Sequence, residues 1–207
     1  MLHYQTVDTP TLELLKGLLS INIFKDLRLV GGTSLSLQFG HRKSVDIDLF
    51  GKVEADIFEI NDALSSLGEI KIIKDSKNIH VYLVNRIKVD IVNYQYPWIG
   101  ELLVVDGLRL ADINDIAAMK LSAITGRGTK KDFYDLHLLL QYISLKEMLE
   151  LYLAKYKDGS LFMVLKSLVY FNDADEDIMP ILLTPLSWES VKVEVLKTYT
   201  EYMHAES

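Results

Sequence analysis

LVGGTSLSLQFGHRKSVDIDLF, residues Leu29–Phe50, sets two unusual features close together. An apolar run ends in Leu29 and Val30 and stops at Gly31 and Gly32, and Thr33 then opens a short helical pattern through Leu35, Leu37 and Phe39. The stretch reads as strand, glycine turn and helix. Glycine lets the backbone approach a ligand closely, and a helix N-terminus presents N–H groups to an anion such as phosphate. After the basic loop His41, Arg42 and Lys43, closed by Ser44, residues Val45–Phe50 alternate apolar and acidic. Side chains two apart on a strand share a face, so Asp46 and Asp48 point together while Val45, Ile47 and Leu49 are expected in the core. Two adjacent carboxylates repel and resist burial unless a cation holds them, and a divalent metal ion is the economical partner. A glycine pair or a D-x-D alone is commonplace; the two at this spacing are far more specific.

Working outward, Thr9 and Pro10 read as an N-cap with proline at the first helical position, opening a helix through Leu15 and Leu19, and Lys25–Val30 reads as the first strand. Val53, Ile57, Ile60, Leu64 and Leu67 recur at helical spacing up to Gly68. Glu69–Ile73 and Ile79–Val84 read as strands, and Asn85 with Arg86 turns the chain into Ile87–Val92. There Ile87, Val89 and Ile91 face the core, which puts Lys88 and Asp90 on the other face. Asp90 is thus a third acid, on a strand expected beside the D-x-D strand. Tyr94–Asp112 is a looser section with one short strand near Leu102–Val105.

Beyond it the pattern is helical. Ile113, Ile116, Ala117, Leu121 and Ile124 form an apolar stripe, and Lys120 falls on the same stripe, so it is expected to point inward. Lys130–Tyr142 is the next helix, with Asp132 and Asp135 on one face. Ser144 with Glu147 is a capping box for a further helix. Ser160–Tyr170, an acidic loop at Asp173–Asp177, and a stripe of Trp188, Val191, Val195, Tyr199 and Tyr202 complete the chain. The fold class expected is α+β: a mixed sheet flanked by helices over residues 1–108, then a helical part over 109–207.

With 207 residues and 49% hydrophobic content, the chain can bury a full core. It has no cysteine, hence no disulfide framework and no thiolate chemistry. The opening MLHYQTVDTP lacks a signal-peptide pattern, and no apolar run approaches the roughly 18 residues of a membrane span, so a soluble cytoplasmic protein with no membrane partner is expected. The net charge of −7 argues against a broad electrostatic grip on nucleic acid and leaves only local basic patches for it.

Three carboxylates on neighbouring strands beside a glycine turn suit metal-assisted phosphoryl or nucleotidyl transfer, because Mg²⁺ or Mn²⁺ takes oxygen ligands and bridges them to substrate phosphates. In this reading Gly31, Gly32 and Thr33 hold a triphosphate by backbone N–H groups, and an inward Lys120 neutralises developing charge. Periodicity alone explains Lys120 equally well as a side chain snorkelling to the surface. His41, Arg42 and Lys43, lying between the two motifs, are expected to contact phosphate or acceptor.

The succession GGT, HRKSVDIDLF, IKVDI, AAMKLSAI and GRGTKKDFYDLHLL resembles the AbiEii/AbiGii-type toxins, a bacterial branch of the DNA-polymerase-β-like nucleotidyltransferase superfamily, over roughly Leu29–Leu140. The resemblance implies a nucleotidyltransferase-like core with an added helical part that completes the active site. It also implies use of a nucleoside triphosphate with Mg²⁺, and a place as toxin in a toxin–antitoxin or abortive-infection pair with a cognate antitoxin. Some relatives modify tRNA. Matched residue by residue, the nucleotide-binding set is Gly31, Gly32, Thr33, Arg42 and Ser44, the metal set is Asp46, Asp48 and Asp90, and the catalytic set is Asp46, Asp48, Lys120 and Asp135. Val45 stands where relatives often carry an acid, and Lys131–Asp132 where they often have Arg-Asp, which leaves the late acid open between Asp132 and Asp135. Arg127, Lys130 and Lys131 crowd the turn before that motif and are expected to meet an RNA acceptor. Three readings follow: transfer of a nucleotide to RNA, first of all tRNA; transfer to a protein or small molecule; or an inactive binding module.

Overall fold

The computed structural model describes residues 1–205, in two units: Met1–Tyr96 with Glu101–Ala111, and Pro97–Gly100 with the chain from Asp112 onward. In the first, β1 (Leu27–Leu29), β2 (Ile47–Gly51), β3 (Ile70–Asp75), β4 (Ile79–Val84), β5 (Ile87–Asn93), β6 (Leu103–Val105) and β7 (Leu108–Leu110) form one mixed sheet in the order β3-β4-β5-β2-β1-β7-β6. β2 runs parallel to β5 and antiparallel to β1, while β1 runs parallel to β7. The expected break after residue 108 therefore falls inside β7, and the sheet continues to Leu110.

Alternation makes this sheet two-faced. Ile47, Leu49, Val89, Ile91 and Tyr82 are fully buried on one side, where Leu15 and Leu18 of α1 (Thr9–Ser20) and Ile60 and Leu64 of α3 (Ile57–Ser65) join the same core. Asp48, Phe50, Asp90 and Val92 lie half-buried on the other. Asp8, one residue before the expected Thr9, caps α1 by accepting from the Thr11 N–H, and α3 starts later than Val53, where Asp56 as N-cap and Glu59 in the first turn close a capping box. At the end of α3's connection, Asn85 accepts from the Glu69 N–H and donates to the Leu67 carbonyl, which ties the β4–β5 turn to the loop below.

Two expectations about the central stretch need correcting. α2 spans Gly31–Phe39, so the glycines are its first turn and not a turn ahead of it. β2 begins at Ile47, with the Asp46 carbonyl just ahead of it accepting from the Thr33 hydroxyl, and Val45 is 58% exposed rather than in the core.

The second unit is helical: α4 (Ile113–Gly126), α5 (Lys130–Leu139), α6 (Leu145–Lys155), α7 (Leu161–Leu168), the short α8 (Asn172–Asp175) in the stretch expected as a loop, and α9 (Trp188–Ala205). The expected stripes form its core, with Ile116, Leu121, Phe133, Leu136, Met148, Val164 and Val191 all buried. Pro97–Gly100 belongs here for a specific reason. Asp115 accepts from the Ile99 and Gly100 N–H groups at 3.0 and 2.9 Å, and Lys155, wholly buried, donates to Asp115 and to the Pro97 carbonyl, each at 2.6 Å. No helix of the described residues is long and apolar enough to cross a membrane.

Candidate functional site

The sheet unit assembles its candidate residues at the start of α2. Gly31 adopts φ +67°, and a Cβ there would lie 2.4 Å from Asp48 Oδ2, so only glycine brings the helix start this close to the carboxylate. The Val30 N–H donates to the Asp48 carbonyl at 2.9 Å, which fixes β1's end beside β2. No side chain caps α2 at Val30. Its first-turn N–H groups come from Gly31, Gly32 and Thr33, and a helix N-terminus of this kind favours an anion.

The Thr33 and Ser44 side chains are engaged within the protein. Thr33 Oγ1 donates to the Asp46 carbonyl, which leaves the Ser44 hydroxyl as the donor in the 2.8 Å contact between the two. Their side chains pin the loop of residues 44–46 onto α2, and what Thr33 has to offer a phosphate is its backbone. Arg42 is buried, at 4% exposure, and donates to the Lys43 carbonyl.

Asp48 and Asp90 stand directly opposite each other in the parallel β2–β5 register. Lys88, two residues before Asp90 on the same face, donates to Asp90 Oδ2 at 2.7 Å. Its ammonium also lies 2.6 Å from Oδ1, yet that buried oxygen has no donor aligned to it. Sequence reasoning put Lys88 and Asp90 on one face without recognising that they pair.

A divalent cation fits these residues. The donors are hard carboxylate oxygens, Asp90 Oδ1 lacks a hydrogen bond, and Gly31 keeps space at Asp48 that a side chain would fill. Among the described residues no three acidic or imidazole side chains converge as a ready-made cage. Mg²⁺ does not require one, since it is commonly held by one or two carboxylates with substrate phosphates and water completing its shell.

The helical unit holds the remaining candidates in one buried cluster. Lys120 lies 2.9 Å from Asp132 and 2.8 Å from Asp135, and both acids are fully buried. Asp132 also accepts from Arg127 Nε at 3.0 Å and from the Thr129 hydroxyl at 2.5 Å, and serves as the acid of the capping box that opens α5. Burial alone would raise its pKa, but Lys120, Arg127 and Thr129 outweigh that and hold it well below the usual carboxylate range. Lys130 is not available to RNA: it is 6% exposed and donates to the Asp175 and Asp177 carbonyls. Lys131 is half-exposed at the start of α5.

Comparison with known proteins follows the same outline. A family model described as the nucleotidyl transferase AbiEii toxin of type IV toxin–antitoxin systems matches residues 13–191. An uncharacterised protein of Aquifex aeolicus is 36% identical over 201 residues, 92% of this chain and 95% of that one. Among solved structures, JHP933 from Helicobacter pylori superposes with a TM-score of 0.58 at 19% identity, covering 97% of this chain and 96% of that chain. MenT4, a nucleotidyltransferase toxin of Mycobacterium tuberculosis, superposes with a TM-score of 0.59 at 14% identity, covering 92% and 82%. At such identities these two structures speak for the fold.

Proposed function

Because this chain belongs to the AbiEii nucleotidyltransferase toxin family, we propose that it transfers a nucleotide from a nucleoside triphosphate to an RNA acceptor, first of all a tRNA, with Mg²⁺ or Mn²⁺ bound. The observation that carries the reading is the facing pair Asp48 and Asp90 with the start of α2 packed against Asp48 through Gly31. Asp46, Asp48 and Asp90 would hold the cation, and the first-turn N–H groups of α2 would hold the β- and γ-phosphates. When bound, the cation supplies positive charge to the phosphate oxygens during transfer. The acceptor's hydroxyl oxygen bonds to the α-phosphorus, the bond from that phosphorus to the bridging oxygen breaks, and pyrophosphate leaves with the electron pair while the hydroxyl proton passes to solvent. Arg42 and Ser44 brace the loop that carries Asp46. Lys120 and Asp135 keep their proposed catalytic roles on the resemblance of the sequence motifs alone, and Asp132 is assigned to holding the first turn of α5. A toxin with a cognate antitoxin is the setting that the family description supports, and the cytoplasm is the compartment proposed with it.

Asp48→Asn tests the reading. Like charges directly opposite on neighbouring strands are unfavourable, so an amide of the same shape should leave the melting temperature equal or slightly raised. It should also remove nearly all labelling of RNA by a labelled nucleoside triphosphate, together with the metal-dependent thermal shift that the triphosphate gives. A variant that melts well below wild type, or that labels RNA normally, marks Asp48 as structural. Label entering protein and never RNA replaces the acceptor.

A further inference from the structure

Beside the acids, the same face of the sheet carries aromatic side chains that the transfer chemistry does not use. Phe50 follows Asp48 by two residues on β2 and stands in register with Val92, which follows Asp90 by two on β5. The Tyr94 N–H donates to the Gly51 carbonyl at 2.8 Å, so the chain continues β5's line and returns the Tyr94 side chain to this face. The rings form a row: Phe50 and Tyr94 have centroids 5.3 Å apart, as do Tyr94 and Tyr96. Ile79, opposite Val92 on β4, extends it sideways. None of this is core. The core face of these strands holds Ile47, Leu49, Val89 and Ile91 at 0% exposure, whereas Phe50, Val92 and Tyr94 are half-exposed and Tyr96 is 49% exposed.

We infer that this row is the stacking shelf for the base of the bound nucleoside triphosphate. The inference rests on the nucleotidyl-transfer reading and deepens it. Three observations carry it. The shelf starts one same-face step from Asp48 and Asp90, roughly 6.6 Å along the strand, a separation that a ribose bridges. It lies on the far side of the acids from the start of α2, because β1 is antiparallel to β2 with Leu29 beside Leu49, which puts Gly31 toward the Ile47 end. Phosphate-binding helix end, acids and aromatic row thus follow one another in the order of triphosphate, sugar and base. Lastly, every nucleobase has a π-face and stacks on aromatic rings whatever its edge pattern. The polar groups beside the row are the Tyr94 and Tyr96 hydroxyls and Arg28, which stands opposite Phe50 on β1.

The test compares ligands with and without a base. Wild type, Phe50→Leu, Tyr94→Leu and Tyr96→Leu are titrated with ATP, CTP, GTP and UTP in Mg²⁺ and, in parallel, with inorganic tripolyphosphate in Mg²⁺. The result expected is that wild type binds each nucleotide more tightly than tripolyphosphate, and that the Phe50 and Tyr94 variants lose about tenfold in nucleotide affinity while tripolyphosphate affinity holds. Phe50→Tyr, which keeps the ring, restores nucleotide binding. Equal weakening for both ligands overturns the inference and makes the rings structural. Unchanged nucleotide binding with a raised KM for RNA also overturns it, and hands the shelf to the acceptor. If Tyr94→Leu does not fold, Tyr96→Leu and the Phe50 pair decide. A wild type that binds neither ligand in the presence of metal sinks the transfer reading itself, an outcome distinct from a shelf failure, in which tripolyphosphate still binds.

Discussion

Gly31 is under two constraints that can be separated. Its φ of +67° is costly for any side chain, and its missing Cβ leaves room for Asp48 Oδ2. Gly107, in the β6–β7 turn, has φ +79° but nothing within 4 Å of a Cβ. Gly107→Ala therefore measures the backbone term alone, about 1 kcal/mol. Gly31→Ala should cost more, about 1–3 kcal/mol beyond that term, because the carboxylate must move as well. It should also weaken the thermal shift given by a triphosphate with Mg²⁺. Equal losses in urea denaturation for the two variants would show that Asp48 yields freely and that the close approach carries no function.

At the scale of elements, the β4–β5 hairpin and the β1–β7 pair show what sequence could and could not disclose. Ile79–Val84 matches β4, and Ile87–Val92 falls one residue short of β5, because alternation and the two-residue turn are local signals. β7 has no such signal. It is three residues long, and its register comes from Leu29, far back in the chain, opposite Leu110. The start of β2 was hidden for a related reason, since the Thr33 hydroxyl of α2, distant in pattern from the strand, binds the Asp46 carbonyl just ahead of it. Lys120 could be placed inward because it sits on an apolar stripe. The Lys155–Asp115 pair could not, since a lysine in a helix's last turn reads as solvated and its partner lies 40 residues away. The facing of Asp48 and Asp90 was legible, while the Phe50–Tyr94–Tyr96 row was not, because Tyr94 and Tyr96 lie beyond the end of β5 in a section without strand periodicity. The hairpin itself yields a prediction. Asn85 and Arg86 have φ of +49° and +70°, the left-handed pair of a type I′ turn, and Asn85 is a suitable first residue where Arg86 is a strained second. Arg86→Gly should stabilise by about 1 kcal/mol, seen as a higher urea midpoint at unchanged slope. A lower midpoint would mean that the Arg86 side chain contributes more than its backbone strain costs.

Across the whole molecule, the two units hold themselves together by different means, and acid should tell them apart. The sheet unit rests on an apolar core of leucine, isoleucine and valine. The helical unit adds two buried ion clusters to its apolar stripes, Lys120 with Asp132 and Asp135, and Lys155 with Asp115. Asp132 fixes the sign of the pH dependence. Its folded-state pKa is depressed far below the ordinary value of 3.8, so the unfolded chain binds this proton first as pH falls. The stability it contributes is complete at pH values well above 3.8, begins to be lost as pH approaches 3.8, and goes on falling until the folded-state value is passed. Asp132→Asn removes one partner of Lys120 but leaves Asp135 in place, so it should cost about 3 kcal/mol at pH 7, the low end for a broken buried pair. Its stability should then depend less on pH than wild type below about pH 5, because the titrating group is gone. Urea midpoints for both proteins from pH 7 down to pH 3 make the comparison. Parallel curves displaced by a constant amount would show that Asp132 is not the group whose protonation undoes the helical unit.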